Sequence, residues 1–231
     1  MIKKNKRSWW QKIKQILLWL FVLQFLYIIL LRWVNPPFTI TQLVSLVKGN
    51  GLKRDYVSFN SINSSAKLAV MAAEDQLFPD HNGFDVKAIK KAVKYNEKHP
   101  TKVRGASTIS QQVAKNVFLW QGGGFFRKGL EVYFTFMIET FWGKKRILQM
   151  YLNVAEMGKG IFGVQAAAIN YFNKDAVSLT RNEAAQIAAA LPNPIRFTVK
   201  PLSNYVAARA GNIMRQMNNL ENDSDIMLLL K

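Results

Sequence analysis

The chain has 231 residues, 49% apolar and 12% aromatic, which is enough to bury a core and excludes a wholly disordered polypeptide. It has no cysteine and only two histidines, His81 and His99, so disulfide frameworks, thiolate metal centres, cysteine nucleophiles and histidine-rich metal sites are excluded. Lys and Arg number 32 against 14 Asp and Glu, a formal charge of +18 that points to an anionic partner: nucleic acid, anionic lipid or a phosphate-bearing substrate.

Residues 1–34 carry Lys3, Lys4, Lys6, Arg7, Lys12, Lys14 and Arg32 and no acid, which leaves +11 for residues 35–231. Residues 16–31 read ILLWLFVLQFLYIILL, interrupted only by Gln24. Extended to Val34, the run is long enough to cross a hydrocarbon core of about 30 Å at about 1.5 Å per residue. Trp9, Trp10 and Trp33 flank it, where amphipathic aromatics favour the headgroup region. A cleaved signal peptide shares this pattern, but no small-residue cleavage site follows, only Arg32-Trp33-Val34-Asn35-Pro36-Pro37. A buried core helix is disfavoured by the flanking charges. The expected organisation is a basic cytoplasmic tail (1–15), a single N-terminal transmembrane helix (16–34) and one outer domain (35–231), because basic flanks stay on the cytoplasmic side.

Pro36-Pro37 ends the anchor, and residues 38–47 are apolar enough to lie at a membrane surface or in a core. Residues 49–65 read as loop or short strand. The rest is mainly α. Ser64 or Ser65 caps a helix to Glu74, and Asp85 caps one over 86–96 that Pro100 stops. Thr108 opens a third to Leu119. Gln121-Gly122-Gly123-Gly124 breaks the chain before helices over 126–142 and 144–154, split at Gly143. An Ala-rich helix spans 163–172. Thr180-Arg181-Asn182-Glu183 is a capping box for a helix to Leu191, and 203–220 is read as the last helix.

Four clusters carry candidate chemistry. Glu74-Asp75 ends an apolar helix, where burial and the helix dipole both raise a carboxyl pKa, as a general base requires; two solvated acids would look the same. Residues 104–116, RGASTISQQVAKN, form a small-residue turn leading into a helix N-terminus, a geometry that suits anions or is simply a capped helix. Ser110 and Gln111 are expected to reach sugar hydroxyls. Arg127, Lys128 and Glu131 share a helix face, usually a surface ion-pair ladder. Lys144-Lys145-Arg146 leads into an apolar stripe.

In this order and spacing the clusters resemble glycosyltransferase family 51, the peptidoglycan transglycosylase module. Glu74-Asp75…Phe78…His81…Gly83…Asp85 is similar to its first motif. Gly105…Ser107-Thr108-Ile109…Gln111-Gln112…Lys115-Asn116 is similar to its second. Arg127-Lys128…Glu131, Lys144…Ile147-Leu148…Tyr151-Leu152-Asn153 and Ala189-Ala190-Leu191-Pro192…Pro194 match three more. The resemblance spans roughly residues 40–215. The stretch from Asn153 to Gly163 points to the monofunctional biosynthetic members, and the chain length leaves no room for a transpeptidase domain. Departures occur at Ala106, Ser110, Gln149 and Gln165, where the family usually has Gly, Thr, Glu and Glu.

The resemblance implies a lysozyme-like, mainly α glycosyltransferase domain, with a smaller membrane-hugging part near 38–60 and 115–130. It implies Glu74 as general base and Glu131 as a second catalytic carboxylate that orients cations or helps bind a divalent ion, Mg or Mn; no organic cofactor is implied. It implies substrate contacts from Asp75, Ser107, Thr108, Gln111, Gln112, Lys115, Asn116, Arg127, Lys128, Lys144 and Asn153. The implied substrates are lipid II and the growing glycan strand, at the outer face of the inner membrane, with membrane lipid as a further partner and cell-wall synthesis or division proteins as candidates. Nucleic acid is not expected outside the membrane. The alternatives are a lytic muramidase or transglycosylase on the same fold, or a membrane-anchored module that binds anionic lipid.

Overall fold

The computed structural model describes residues 9–231. Lys3, Lys4, Lys6 and Arg7 of the expected basic tail lie outside the described residues. Helix α1 runs Trp9–Leu30, so residues 9–15 join the apolar helix instead of forming a tail. It has 22 residues, and an 18-residue stretch within it has a mean hydropathy of 2.1, so it is long and apolar enough to cross a membrane.

The rest is mainly helical, as the sequence indicates: α2 (Ile40–Val47), α3 (Ser64–Glu74), α4 (Val86–Lys98), α5 (Ile109–Phe118), α6 (Phe125–Phe141), α7 (Lys144–Val154), α8 (Val164–Phe172), α9 (Arg181–Ala190), α10 (Asn204–Leu220) and α11 (Ser224–Leu230). Side-chain caps set most starts: Thr39 for α2, Asp85 for α4, Thr108 for α5, Thr180 for α9 and Ser203 for α10. The cap of α3 is Asn63, one residue before the expected serines. Helix α11 is an addition to the helices expected from sequence: Asp223 caps a further apolar turn whose Ile226 is buried.

Two layers build the core. Ala-rich α3 packs on α9 and α10, and α5 packs on α6 and α7. The small residues of α3 and α9 let those axes approach closely. A small sheet, unforeseen as a sheet from the sequence, flanks them. Its strands are β1 (Lys53–Arg54), β2 (Glu156–Gly158) and β3 (Ile161–Phe162), in the order β1-β3-β2. Strand β3 pairs parallel to β1, Lys53 opposite Ile161, and antiparallel to β2, Glu156 opposite Phe162. Gly163, at φ +84°, links this sheet to α8, and a Cβ there would lie 2.5 Å from the Asn153 carbonyl oxygen.

The end of α1 is part of this body. Ile28 and Leu31 are fully buried, and the Ile28 carbonyl accepts from the Trp142 indole at 2.8 Å. The Arg146 guanidinium donates to the carbonyls of Leu31 (3.0 and 2.8 Å) and Val34 (2.7 Å), satisfying acceptors that a helix end leaves open. The Tyr133 hydroxyl donates to Gln24 at 3.1 Å, which gives the one polar residue of the apolar run a partner.

Candidate active site

A cleft of about 730 Å³ opens between the C-terminal end of α3, the loop before α5, helix α4 and helix α10. Glu74, Asp75, Ser107, Thr108 and Gln112 line it. The two adjacent acids divide their work. Asp75, the C-cap of α3, is buried, accepts from the Ile109 backbone N–H at 2.9 Å and meets His81 Nε2 at 2.9 Å. Its carboxylate thus sits at the N-terminus of α5, where the dipole favours an anion. Asp75 pins α3 to α5 and leaves Glu74 to face the cleft.

Glu74 accepts from Gln112 Nε2 at 2.8 Å. Burial raises its pKa and the neighbouring Asp75 adds to that; the Gln112 hydrogen bond and the charges of Arg209 and Lys115 pull the other way. A carboxylate raised in this way, within reach of a cleft, has the properties of a general base.

Cations extend from Glu74 along one side. Burial lowers the pKa of Lys115, and that side chain feels Glu74 on one flank and Arg127, Lys128 and Glu131 on the other. Among the described residues Lys115 has no ion-pair partner, so its ammonium is available. Arg127 and Lys128 both bind buried Glu131, at 2.7 and 2.5 Å. The shared helix face is therefore real, with one carboxylate holding two cations.

Both oxygens of Glu131 are taken by those cations, and no cluster of three or more acidic or histidine side chains occurs among the described residues. This donor set does not fit a divalent ion at Glu131.

Several expected substrate contacts face inward instead. The Thr108 hydroxyl donates to the Gly83 carbonyl at 2.7 Å and accepts from the Gln111 N–H, while the Gln111 side chain returns to the Thr108 N–H at 3.0 Å. Ser110 is fully buried and donates to Glu139. The expectation that Ser110 and Gln111 reach sugar is thus corrected: capping and packing consume both. Asn116 is buried against Gln121, and Asn153 binds the Val57 backbone through both its oxygen and its amide. Lys144 is likewise engaged within the protein. It binds Glu139 at 2.8 Å and the His81 carbonyl and lies over the Phe78 ring at 4.6 Å, so it pins the loop under the cleft. Ser107 remains exposed at the cleft rim.

Two participants, Arg209 and Glu139, carry no signal in the sequence, and a third, the motif residue Gly83, shows its role only in the structure. Arg209 of α10 enters the cleft, donates to the Ala73 carbonyl at 3.4 Å and favours the Glu74 carboxylate. Glu139 anchors Lys144 and Ser110. Gly83, at φ +85°, passes so close to α6 that a Cβ would meet Thr135 at 2.7 Å. Arg209 and Glu139 lie 135 and 65 residues from Glu74 and follow no motif spacing.

Comparison with known proteins identifies the family. The family model described as transglycosylase matches residues 41–218. A biosynthetic peptidoglycan transglycosylase of Pseudomonas putida (strain GB-1) is 48% identical over 225 residues, covering 95% of each chain. One of Pseudomonas entomophila (strain L48) is 49% identical with the same coverage. One of Shigella boydii serotype 4 (strain Sb227) is 58% identical over 166 residues, covering 72% of this chain and 69% of the relative. The match to the family model takes in every residue that lines the cleft, and the chain belongs to the transglycosylase family.

Proposed function

We propose that the chain polymerises lipid II into peptidoglycan glycan strands by inverting glycosyl transfer. Glu74 takes the proton from the 4-hydroxyl of the acceptor GlcNAc, and that oxygen attacks C1 of the donor MurNAc. The bond from C1 to the diphosphate breaks, and undecaprenyl diphosphate leaves with the electron pair. An α-linked donor gives a β-1,4 product. A diphosphate needs counter-charge rather than a proton to depart, so a single base suffices. Lys115, Arg127 and Lys128 supply that charge, with Glu131 holding the last two in place.

The observation that carries this reading is Glu74 lining the cleft, held by Gln112 at 2.8 Å, together with the cations Arg127 and Lys128 fixed on Glu131 and Lys115, which interacts with both Glu74 and Glu131. The exposed Phe125, Phe126 and Phe136 of α6, with Leu43, Leu46 and Val47 of α2, would lie in the bilayer beside the polyprenyl chain. The expected setting is the inner membrane with α1 spanning it and the cleft on the outer side. Cell-wall synthesis or division proteins are the expected partners.

Purified protein should convert lipid II to glycan polymer and leave finished sacculi intact. Release of fragments from sacculi without polymer formation would overturn the reading in favour of a lytic enzyme.

A further inference from the structure

The cleft has a second wall that the reaction above does not use. Helix α4 has no fully buried residue, and its Ala88, Lys91, Ala92 and Tyr95 form one stripe, three to four residues apart, along the cleft. Arg104 enters beside them from the loop before α5. Its backbone is fixed to α4 by a pair of hydrogen bonds with the Asn96 side chain, at 2.7 and 3.0 Å. Its guanidinium carbon lies over the Tyr95 ring, 3.7 Å from the centroid, and His99 stacks with the same ring at 4.3 Å. Among the described residues neither Arg104 nor Lys91 has an ion-pair partner.

A guanidinium over an aromatic ring can still donate from its N–H edges, and its planar fork matches a carboxylate. The diphosphate is matched elsewhere, by the row from Lys115 to Lys128. If the substrate is the proposed disaccharide-peptide, its sugars carry no charge, and the remaining anions are the carboxylates of the peptide.

We propose that Arg104 and Lys91 form a subsite for the peptide carboxylates of the substrate. This rests on the function proposed above but is tested without turnover. The probe is a disaccharide-peptide lacking both lipid and phosphate, titrated against the full chain in detergent. It is used with free carboxylates and with those carboxylates amidated. The free acid should bind about tenfold more tightly than the amide, as one charge-assisted bidentate contact allows. Arg104→Gln should abolish that difference, and Lys91→Gln should reduce it. Equal binding of acid and amide to the unmodified protein overturns the proposal. So does an unchanged preference in Arg104→Gln, or loss of inorganic diphosphate binding in that variant with the peptide preference intact. Failure to polymerise lipid II would instead count against the proposed function, because this titration requires no catalysis.

Discussion

The Gln112 side-chain amide donates to Glu74 Oε2 at 2.8 Å, and its carbonyl accepts from the Tyr151 hydroxyl at 3.2 Å. Tyr151 is fully buried, and burial pushes its pKa well above the ordinary value, so the hydroxyl keeps its proton and fixes which way the amide points. The donor aimed at Glu74 stabilises the carboxylate form. Gln112→Met removes it at similar volume, so the Glu74 pKa should rise further and the acidic limb of the pH–rate profile should move to higher pH. Tyr151→Phe should shift it the same way by less. An unmoved limb in Gln112→Met would show that Glu74 does not control it.

Glu74→Gln should reduce turnover by about 10²–10⁴-fold while substrate still binds, because the amide keeps the shape but cannot accept a proton. The same change should alter stability in a pH-dependent way. The folded-state pKa of Glu74 lies above its unfolded value, so folding favours the protonated form. That contribution is fully present below the unfolded pKa and is lost as pH rises through the folded one. At neutral pH the ionised, half-buried Glu74 costs stability, and Glu74→Gln should raise Tm there. Near pH 4 the gain should vanish. Thermal melts at the two pH values, alongside lipid II assays, check both halves.

Lys128 and Lys144 should behave differently when changed to Met. The Lys128 side chain is 45% exposed, and its partner Glu131 keeps Arg127, so Tm should barely move while polymerisation falls strongly. Lys144 is 19% exposed and pairs with Glu139, itself only 9% exposed. Its loss leaves that carboxylate without its cation and should cost stability, on the order of 2 kcal/mol. Equal Tm losses in the two variants would refute this division of roles.

Truncation should divide at the buried end of α1. Every motif residue follows Pro37, so removal of residues 1–34 is expected from sequence to leave an intact domain. Such a cut nevertheless takes away Ile28, Leu31 and the carbonyls that serve Trp142 and Arg146. Removal of residues 1–20 retains all of these. The shorter deletion should melt near the full chain in detergent, and the longer one should melt several degrees lower. Matching melting curves would mean that these contacts contribute nothing to the fold.

Local signals were legible in the sequence because local chemistry sets them. Caps at Thr108, Thr180 and Ser203 start helices through side chains that reach their own next turn. Glu74 was legible because an acid ending an apolar helix meets burial and dipole together. The shared face of Arg127, Lys128 and Glu131 followed from helical spacing alone. Tertiary structure decided which polar groups remain free. Asp75 looks as available as Glu74 along the chain, yet Ile109 and His81 consume it, and Lys144 is drawn in against Glu139 while Lys128 stays 45% exposed. Arg209 reaches the cleft only because α10 packs across α3, and Arg104 gains its stacked pose only because α4 turns Tyr95 toward it. A polar side chain's role depends on what remains unpaired around it after folding, and partners tens of residues away leave no mark on local sequence pattern.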